Sequence, residues 1–280
     1  MKLLSIVIAS NNRPELLKKC LDSIIPQRNK NIEIIVVDNH YKQAAKKVIN
    51  KFKNVKYLFE KEISPAAARN NGIKKAKGKY IVFVDDDSIV NKQFIESIIK
   101  IINKKPKIKA FGGSYSRHSN KKIPFWFLDN YGVLNNGDSF KNLQIGEEWL
   151  SGTNMIFEKN LLLKFNGFNK KFGMKKGTIY YGEETDLLIR LALADIPIYY
   201  DPKIKVSHLL ADKKINLIWL IKDAFRRGQS THYIQNKYPE IFTTKSQTRK
   251  TPVKQNFAQK IVSLILLVSF GLGKNYAKIN

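Results

Sequence analysis

Two acidic clusters in this 280-residue chain stand where carboxylates could do chemistry. Asp85, Asp86 and Asp87 follow directly on the apolar run Tyr80-Ile-Val-Phe-Val84, whose β-branched and aromatic residues read as a buried strand. In an open α/β sheet, ligands bind beyond the carboxyl ends of the strands, which is where these three acids sit. Three adjacent anions repel one another. A hard divalent cation would relieve that repulsion, because carboxylate oxygens are its preferred ligands and a strand end holds them rigidly. The plainer alternative is a solvated acidic turn that caps a helix starting near Asn91. The second cluster, Gly182-Glu183-Glu184-Thr185-Asp186, opens a helix with all three acids in its first turn. The helix dipole favours their ionised forms there, which suits a base. It also explains why acids gather at helix starts for stability alone.

The elements around these clusters alternate in period. Leu4 to Ala9 reads as a strand, and Pro14 suits the first turn of a helix reaching about Ile25. A strand at Ile32 to Val37 ends at Asp38, a helix follows from about Gln43 to Phe52, and a short strand covers Lys56 to Phe59. Ser64-Pro65 makes a capped helix start, with Gly78 stopping that helix after Lys77. Beyond the strand ending at Val84 come a helix to about Asn103 and a strand near Ile108 to Phe111. Strands and helices at this spacing predict an α/β fold with a mostly parallel, Rossmann-like sheet flanked by helices. From Gly112 to about Leu150 the pattern is irregular, and it resumes at Ser151 to Phe157. A helix near Glu183, a strand at Ile196 to Tyr200 leading to His208, and a helical stretch from Ile215 to about Arg227 follow.

Composition narrows the function classes. The 43% apolar share is that of a folded protein, and the single cysteine, Cys20, excludes a disulfide framework or a Cys-based metal site. The apolar start, Leu3 to Ala9, reads as a first strand, so the cytoplasm is the expected compartment. A net charge of +27 attracts polyanions: nucleic acid, phosphorylated substrates or an anionic membrane. Lysines are dense at Lys104 to Lys107, Lys121-Lys122 and Lys170 to Lys176, yet no nucleic-acid module accompanies them. A polar, basic linker spans Thr243 to Lys254. The last apolar run, Ile261 to Phe270, is short for a span of about 20 residues and is broken by Gly271 and Gly273. It reads either as a helix docked on the domain or as an interfacial anchor whose flanking Lys260 and Lys274 meet anionic head groups.

Four motifs then line up in order: Ser5-Ile-Val-Ile-Ala-Ser-Asn-Asn-Arg-Pro14, Ile34-Ile-Val-Val-Asp38, Pro65-Ala-Ala-Ala-Arg-Asn-Asn-Gly72 and Phe83-Val-Asp-Asp-Asp87. Each is weak alone; together they resemble a family 2 glycosyltransferase of GT-A fold over roughly residues 3 to 210. Gly152-Thr-Asn-Met155, Asn166-Gly-Phe168 and Gly182 to Leu187 resemble the acceptor half of that family. The resemblance implies a nucleotide-sugar-binding half at 1–112 and an acceptor-binding half at 113–212; beyond it the residues themselves read as a helical C-terminal extension at 213–280, with 261–272 as a candidate membrane-associating segment.

It also implies a function: inverting transfer of a sugar from a nucleotide-sugar, uridine-linked by family default, to a hydroxyl of a glycan or lipid-linked acceptor in bacterial cell-surface polysaccharide synthesis. The family's Asp-x-Asp pair maps onto Asp85 and Asp87. Asp87 would ligate Mn2+ or Mg2+, Asp85 would touch the ribose or the metal, and Asp86 would support them. Nucleotide contacts map onto Ala9, Asn11, Arg13 and Asp38, the last also reading as a strand-end turn residue. Arg69 and Asn70 would lie near the pyrophosphate, with Arg69 bonding a carboxylate or the phosphates, and His208 near the metal. Glu184 inherits the role of base, although the family usually carries Glu-Asp at Glu183-Glu184, and Asn39 stands where a second aspartate is usual. Glu183, Asp186, Trp126 and Trp149 complete the acceptor side; the aromatic residues, Phe125 included, serve equally well as packing anchors. The expected setting is the inner face of the cell membrane, with no nucleic-acid partner. A nucleic-acid-binding protein or a non-catalytic sugar-binding protein on the same fold is the alternative.

Overall fold

The computed structural model describes residues 2–175, 178–242 and 254–279. Of the linker expected at Thr243 to Lys254, only Lys254 falls among them, and Lys176 lies outside them. The chain opens with β1 (Lys2–Ser10), α1 (Pro14–Ile24), β2 (Ile32–Asp38), α2 (Ala44–Ile49), β3 (Val55–Phe59), α3 (Pro65–Lys75) and β4 (Gly78–Asp85). Next come β5 (Ser88–Val90), α4 (Phe94–Lys104), β6 (Ala110–His118), β7 (Lys141–Asn142), β8 (Met155–Glu158) and α5 (Lys159–Lys164). A two-stranded unit, β9 (Gly173–Lys175) with β10 (Thr178–Tyr180), precedes α6 (Glu183–Ala192) and β11 (Tyr199–Leu209). The helices α7 (Leu217–Lys237), α8 (Pro239–Phe242) and α9 (Phe257–Ile279) finish the chain.

The main sheet runs β3-β2-β1-β4-β8-β6-β11-β5, with β7 added on β11. The first four strands are parallel, β8 is antiparallel to both its neighbours, and β11 is parallel to β6. Alternation of side chains along the inner strands feeds two cores. Leu4, Ile6, Ile8, Val36, Val82 and Val84 pack under α1, α2 and α4. Val7, Ile35, Val37, Ile81 and Phe83 face α3, α5 and α6. Because both faces are covered, these strands read as largely apolar runs, interrupted near their starts by Ser5, Glu33 and Lys79 and polar again at their carboxyl ends. Register aligns Ser10 with Asp38 and Ala9 with Asp85 along that edge.

Four local expectations change. Helix α3 ends at Lys75, where Ala76 is already extended, and Gly78 opens β4 instead of capping the helix; its N–H donates to Ser5 Oγ at 2.7 Å. The residues after the aspartates form the short edge strand β5 before α4 begins at Phe94. The strand expected to stop at Tyr200 continues to Leu209: its register shifts between Asp201 and Lys205, an irregularity that absorbs Pro202. Finally, α9 passes through Gly271 and Gly273 as one 23-residue helix, long and apolar enough to cross a membrane by length and composition.

Helix α9 packs closely on α7, and its Gly273 makes that approach possible. A Cβ at Gly273 would stand 1.9 Å from the Phe225 carbonyl oxygen, and one at Gly228 would stand 2.1 Å from that of Phe270. The propensity cost of a mid-helix glycine, about 1 kcal/mol, is offset by the approach it permits. Ser269 Oγ donates to the Ile221 carbonyl at 2.8 Å, and Gln259 Nε2 to that of Phe127 at 2.9 Å. The opposite face of α9 is exposed and apolar, with Ile261, Leu264, Leu267, Val268 and Leu272.

Candidate active site

The aspartates at the end of β4 divide their work. Asp86 turns inward and is fully buried; its Oδ2 accepts from Ser10 Oγ at 2.8 Å, tying the β4 end to the β1 end. Burial pushes its pKa up to about 7, against the pull of Arg13 and with the help of Asp87. Asp85 and Asp87 turn toward the cleft. Arg13 Nη1 donates to Asp87 Oδ2 at 2.6 Å, and His208 Nε2, carried there by the continued β11, lies 3.1 Å from Asp87 Oδ1. Burial alone would raise the Asp87 pKa, but His208 and Arg13 hold it well below the usual carboxylate range. Ligand atoms of Asp85, Asp87 and His208 all lie within 4.8 Å of one another. Two carboxylates and an imidazole this close together suit a divalent cation such as Mn2+ or Mg2+, so these residues fit a metal.

Arg69 joins this cluster to the second one. It is 4% exposed on α3, and its Nη2 donates to Asp85 Oδ1 at 3.1 Å. Its Nη1 donates to Glu183 Oε1 at 3.2 Å and to Glu184 Oε1 at 3.1 Å. One buried guanidinium therefore holds three carboxylates, and its pKa rises despite burial because Glu184, Asp85 and Glu183 surround it. Gly152 leaves the room: a Cβ there would lie 2.2 Å from Glu184 Oε1 and 2.4 Å from Arg69 Nη2. Burial, and then the charge of Glu184, push the Glu183 pKa up to about 8. Glu184 is the more open of the two, its side chain 24% exposed against 9% for Glu183. Asp186 is fully buried and takes a different part. Tyr238 and Lys237 of the α7 end donate to its Oδ1 and Arg190 to its Oδ2, so it fastens α6 to its surroundings.

The sequence matches the family described as Glycosyl transferase family 2 over residues 5–164, more than half of the chain. The chain belongs to this family. A curated relative, the glycosyltransferase GlyA of Streptococcus pneumoniae, is 30% identical over 156 residues, which is 53% of this chain and 22% of that protein's length. The fold is shared with the mannosyltransferase PcManGT of Pyrobaculum calidifontis, solved with GDP-Man and Mn2+ (TM-score 0.62, 15% identity, 99% of this chain and 73% of the other). It is shared equally with S. aureus TarS 1-349, solved with UDP-GlcNAc (TM-score 0.64, 15% identity, 100% and 74%). The α/β architecture is GT-A.

Within this family 2 framework, the remaining residues fall into two groups. Ala9 and Asn11 lie on the same edge as the aspartates, and Asn11 Nδ2 donates to Asn39 Oδ1 at 3.1 Å. Asp38 is buried, and its two oxygens accept from the backbone N–H of His40 at 3.1 Å and of Ala45 at 3.0 Å, which starts α2. Asn70 uses its amide to clasp Phe168, accepting from its N–H at 2.8 Å and donating to its carbonyl at 2.7 Å. Trp126 packs with Phe127, Tyr131 and Trp219, and Trp149 packs near Phe242, in two separate apolar clusters. Three residues that sequence reading passed over also border the centre: Ser10, Gly152 and Lys214. Nothing in the sequence distinguishes Lys214 among 50 lysines and arginines. Gly152 and Ser10 stood inside quoted motifs, but their roles are relations to residues far along the chain.

Proposed function

We propose that this chain is an inverting glycosyltransferase that moves a sugar from a nucleoside diphosphate sugar, uridine-linked by family default, to a hydroxyl of a glycan or lipid-linked acceptor in cell-surface polysaccharide synthesis. The observation that carries this reading is the Arg69 bridge, which makes the cation-binding carboxylates and Glu184 one reaction centre. Glu184 takes the proton of the acceptor hydroxyl as its oxygen bonds to the anomeric carbon. The bond from that carbon to the diphosphate breaks on the opposite side, and the electron pair leaves with the phosphate. Asp87, Asp85 and His208 would hold a divalent cation, Mn2+ or Mg2+, which would supply Lewis-acid neutralisation of the diphosphate's charge. Arg13 pairs with Asp87 and Asp86 and adds positive charge beside them. Arg69 aligns the base with the donor side, while Asn11 and the β1–β2 edge receive the nucleotide.

The exposed apolar face of α9, with Lys260, Lys274 and Lys278, rests in this reading on the anionic inner face of the cell membrane. Removing α9 would also strip the packing of α7, so a surface change isolates the effect better. Leu264→Glu is expected to lower sedimentation with anionic vesicles several-fold without changing the melting temperature; unaltered sedimentation would contradict the membrane reading.

The decisive experiment for transfer is a panel of uridine- and guanosine-linked sugars, incubated with Mn2+ or with chelator, with product configuration read by NMR. Metal-dependent turnover of one donor with inverted anomeric configuration is the expected result. Retained configuration, or turnover indifferent to chelator, would overturn the mechanism.

A further inference from the structure

Five residues of α7, Asp223, Arg227, Ser230, Ile234 and Lys237, follow one another in steps of four and three, and each meets the segment 181–186 that opens α6. Such steps keep side chains on one face of a helix, about 5 Å apart along it. Apolar residues at this spacing would make an ordinary packing seam; here four of the five are polar. Asp223 is 1% exposed, and its Oδ1 accepts from the Tyr181 hydroxyl at 2.6 Å. Its Oδ2 accepts from the Tyr131 hydroxyl at 2.9 Å and from Arg227 Nε at 2.7 Å. The Arg227 guanidinium lies over the Tyr181 ring, 5.0 Å from its centre. Ser230 Oγ accepts from the Tyr181 N–H at 2.9 Å and donates to the Arg226 carbonyl at 3.0 Å. Gly182 follows with φ 127°, a value glycine alone adopts freely, and a Cβ there would stand 3.3 Å from Ile234 Cδ1. Lys237 closes the row on Asp186.

This row is not what docks α7. Another side of that helix, with Ile221, Phe225 and Gly228, already packs against α9. A polar group buried for docking alone is inferior to an apolar one, whereas a fully satisfied network fixes one geometry. Burial and the charge of Asp223 push the Tyr181 and Tyr131 phenols up, so both remain donors to that carboxylate. What the network fixes is the position of Tyr181, three residues before Glu184. Arg69 holds the Glu184 carboxylate from the donor side at 3.1 Å, and α7 holds the backbone that carries it.

We propose that Asp223 is a positioning residue for the base: through Tyr181 it fixes the backbone that presents the Glu184 carboxylate to the acceptor hydroxyl. This role rests on the transfer reading of the same centre, with Glu184 as its base. No proton passes through Asp223. It acts by geometry alone, and a misplacement of about 1 Å at a reacting group can cost on the order of 10²-fold in rate.

The test compares the full chain with Asp223→Asn, Tyr181→Phe, Glu184→Gln and the Tyr181→Phe/Glu184→Gln double variant. Transfer is measured in steady state with Mn2+ and the donor that the wild type turns over, donor binding by calorimetry and folding by melting curves. Tyr181→Phe is expected to lower kcat about tenfold and Asp223→Asn about 10- to 100-fold, with donor affinity within about twofold of wild type. In the Glu184→Gln background Tyr181→Phe should cost nothing further, because it acts through a carboxylate that is no longer there. Folded single variants with wild-type kcat would overturn the positioning role. So would a loss that multiplies with that of Glu184→Gln, the mark of a general structural effect, or a loss confined to donor affinity. If Asp223→Asn does not fold, Tyr181→Phe decides, since it loses one hydroxyl and keeps the ring under Arg227. Wild-type kcat in Glu184→Gln, or no turnover of any donor by the wild type, would instead sink the transfer reading beneath it.

Discussion

The acidic cluster at the end of β4 and the one at the start of α6 look alike in sequence and share a division of labour. Each holds one fully buried carboxylate, Asp86 in the first and Asp186 in the second, whose oxygens are engaged by the protein itself. Each also holds a more open carboxylate on the cleft, Asp87 with Asp85 in the first and Glu184 in the second, with Arg69 spanning the gap between clusters. The difference lies in what engages the buried member. Asp86 meets a hydroxyl and one arginine, and burial raises its pKa to about 7. Asp186 meets Lys237, Arg190 and Tyr238, and these hold its pKa below the ordinary value although burial opposes them. At the strand end the support is held by one hydroxyl and one arginine while burial opposes its charge. A helix start that must dock on another helix uses a charged one.

Substitutions can break this comparison in a graded order. Asp87→Asn should abolish transfer, on the order of 10⁴-fold, if, as proposed, several kcal/mol of charge neutralisation at the leaving group come from a metal it holds. Steady-state assays with Mn2+ check this, and a variant with more than a tenth of normal activity would remove Asp87 from the mechanism. Glu184→Gln should cost about 10²-fold or more in kcat with little change in donor affinity, as expected for loss of a general base. A change confined to KM would assign Glu184 to binding instead.

Asp186→Asn tests the supporting half. It leaves Lys237 and Arg190 without their carboxylate, and because Lys237 is partly exposed the expected loss is about 2 kcal/mol, below the figure for a fully buried pair. Denaturant unfolding measures it. Since folding lowers this pKa from 3.8, the ionised carboxylate contributes stability above that value and loses it as pH falls through the folded pKa. The gap between wild type and variant should therefore close below about pH 4; a gap that widens in acid would refute the assignment. Asp86→Asn should have the smallest effect, about 1 kcal/mol or less, because a group with a pKa near 7 is already half neutral at neutral pH.

The inner strands and the motif order were legible because double-sided burial leaves largely apolar runs, as in Ile32 to Val37. The strand ends, and with them Asp85 and Asp87, follow from that. What the sequence concealed depends on distant partners. Whether Asp86 or Asp87 faces the cleft is decided by Ser10, 76 residues away, and the Arg69 bridge spans 114 residues to Glu183. Pro202 masked the strand that carries His208, because an irregular register absorbs a proline that a regular ladder would reject. Gly271 and Gly273 looked like helix breakers, but the helix runs through both, and α7 requires Gly273 by its close approach.

The central claim is that Asp87 belongs to a metal-binding donor site while its neighbour Asp86 belongs to the scaffold. Titrating Mn2+ by electron paramagnetic resonance, with and without nucleotide-sugar, into the wild type, Asp87→Asn and Asp86→Asn proteins tests it most directly. The account predicts donor-enhanced Mn2+ binding in the wild type and in Asp86→Asn, and its loss in Asp87→Asn. Equal Mn2+ binding by the two variants, or none by the folded wild type with donor present, would contradict it.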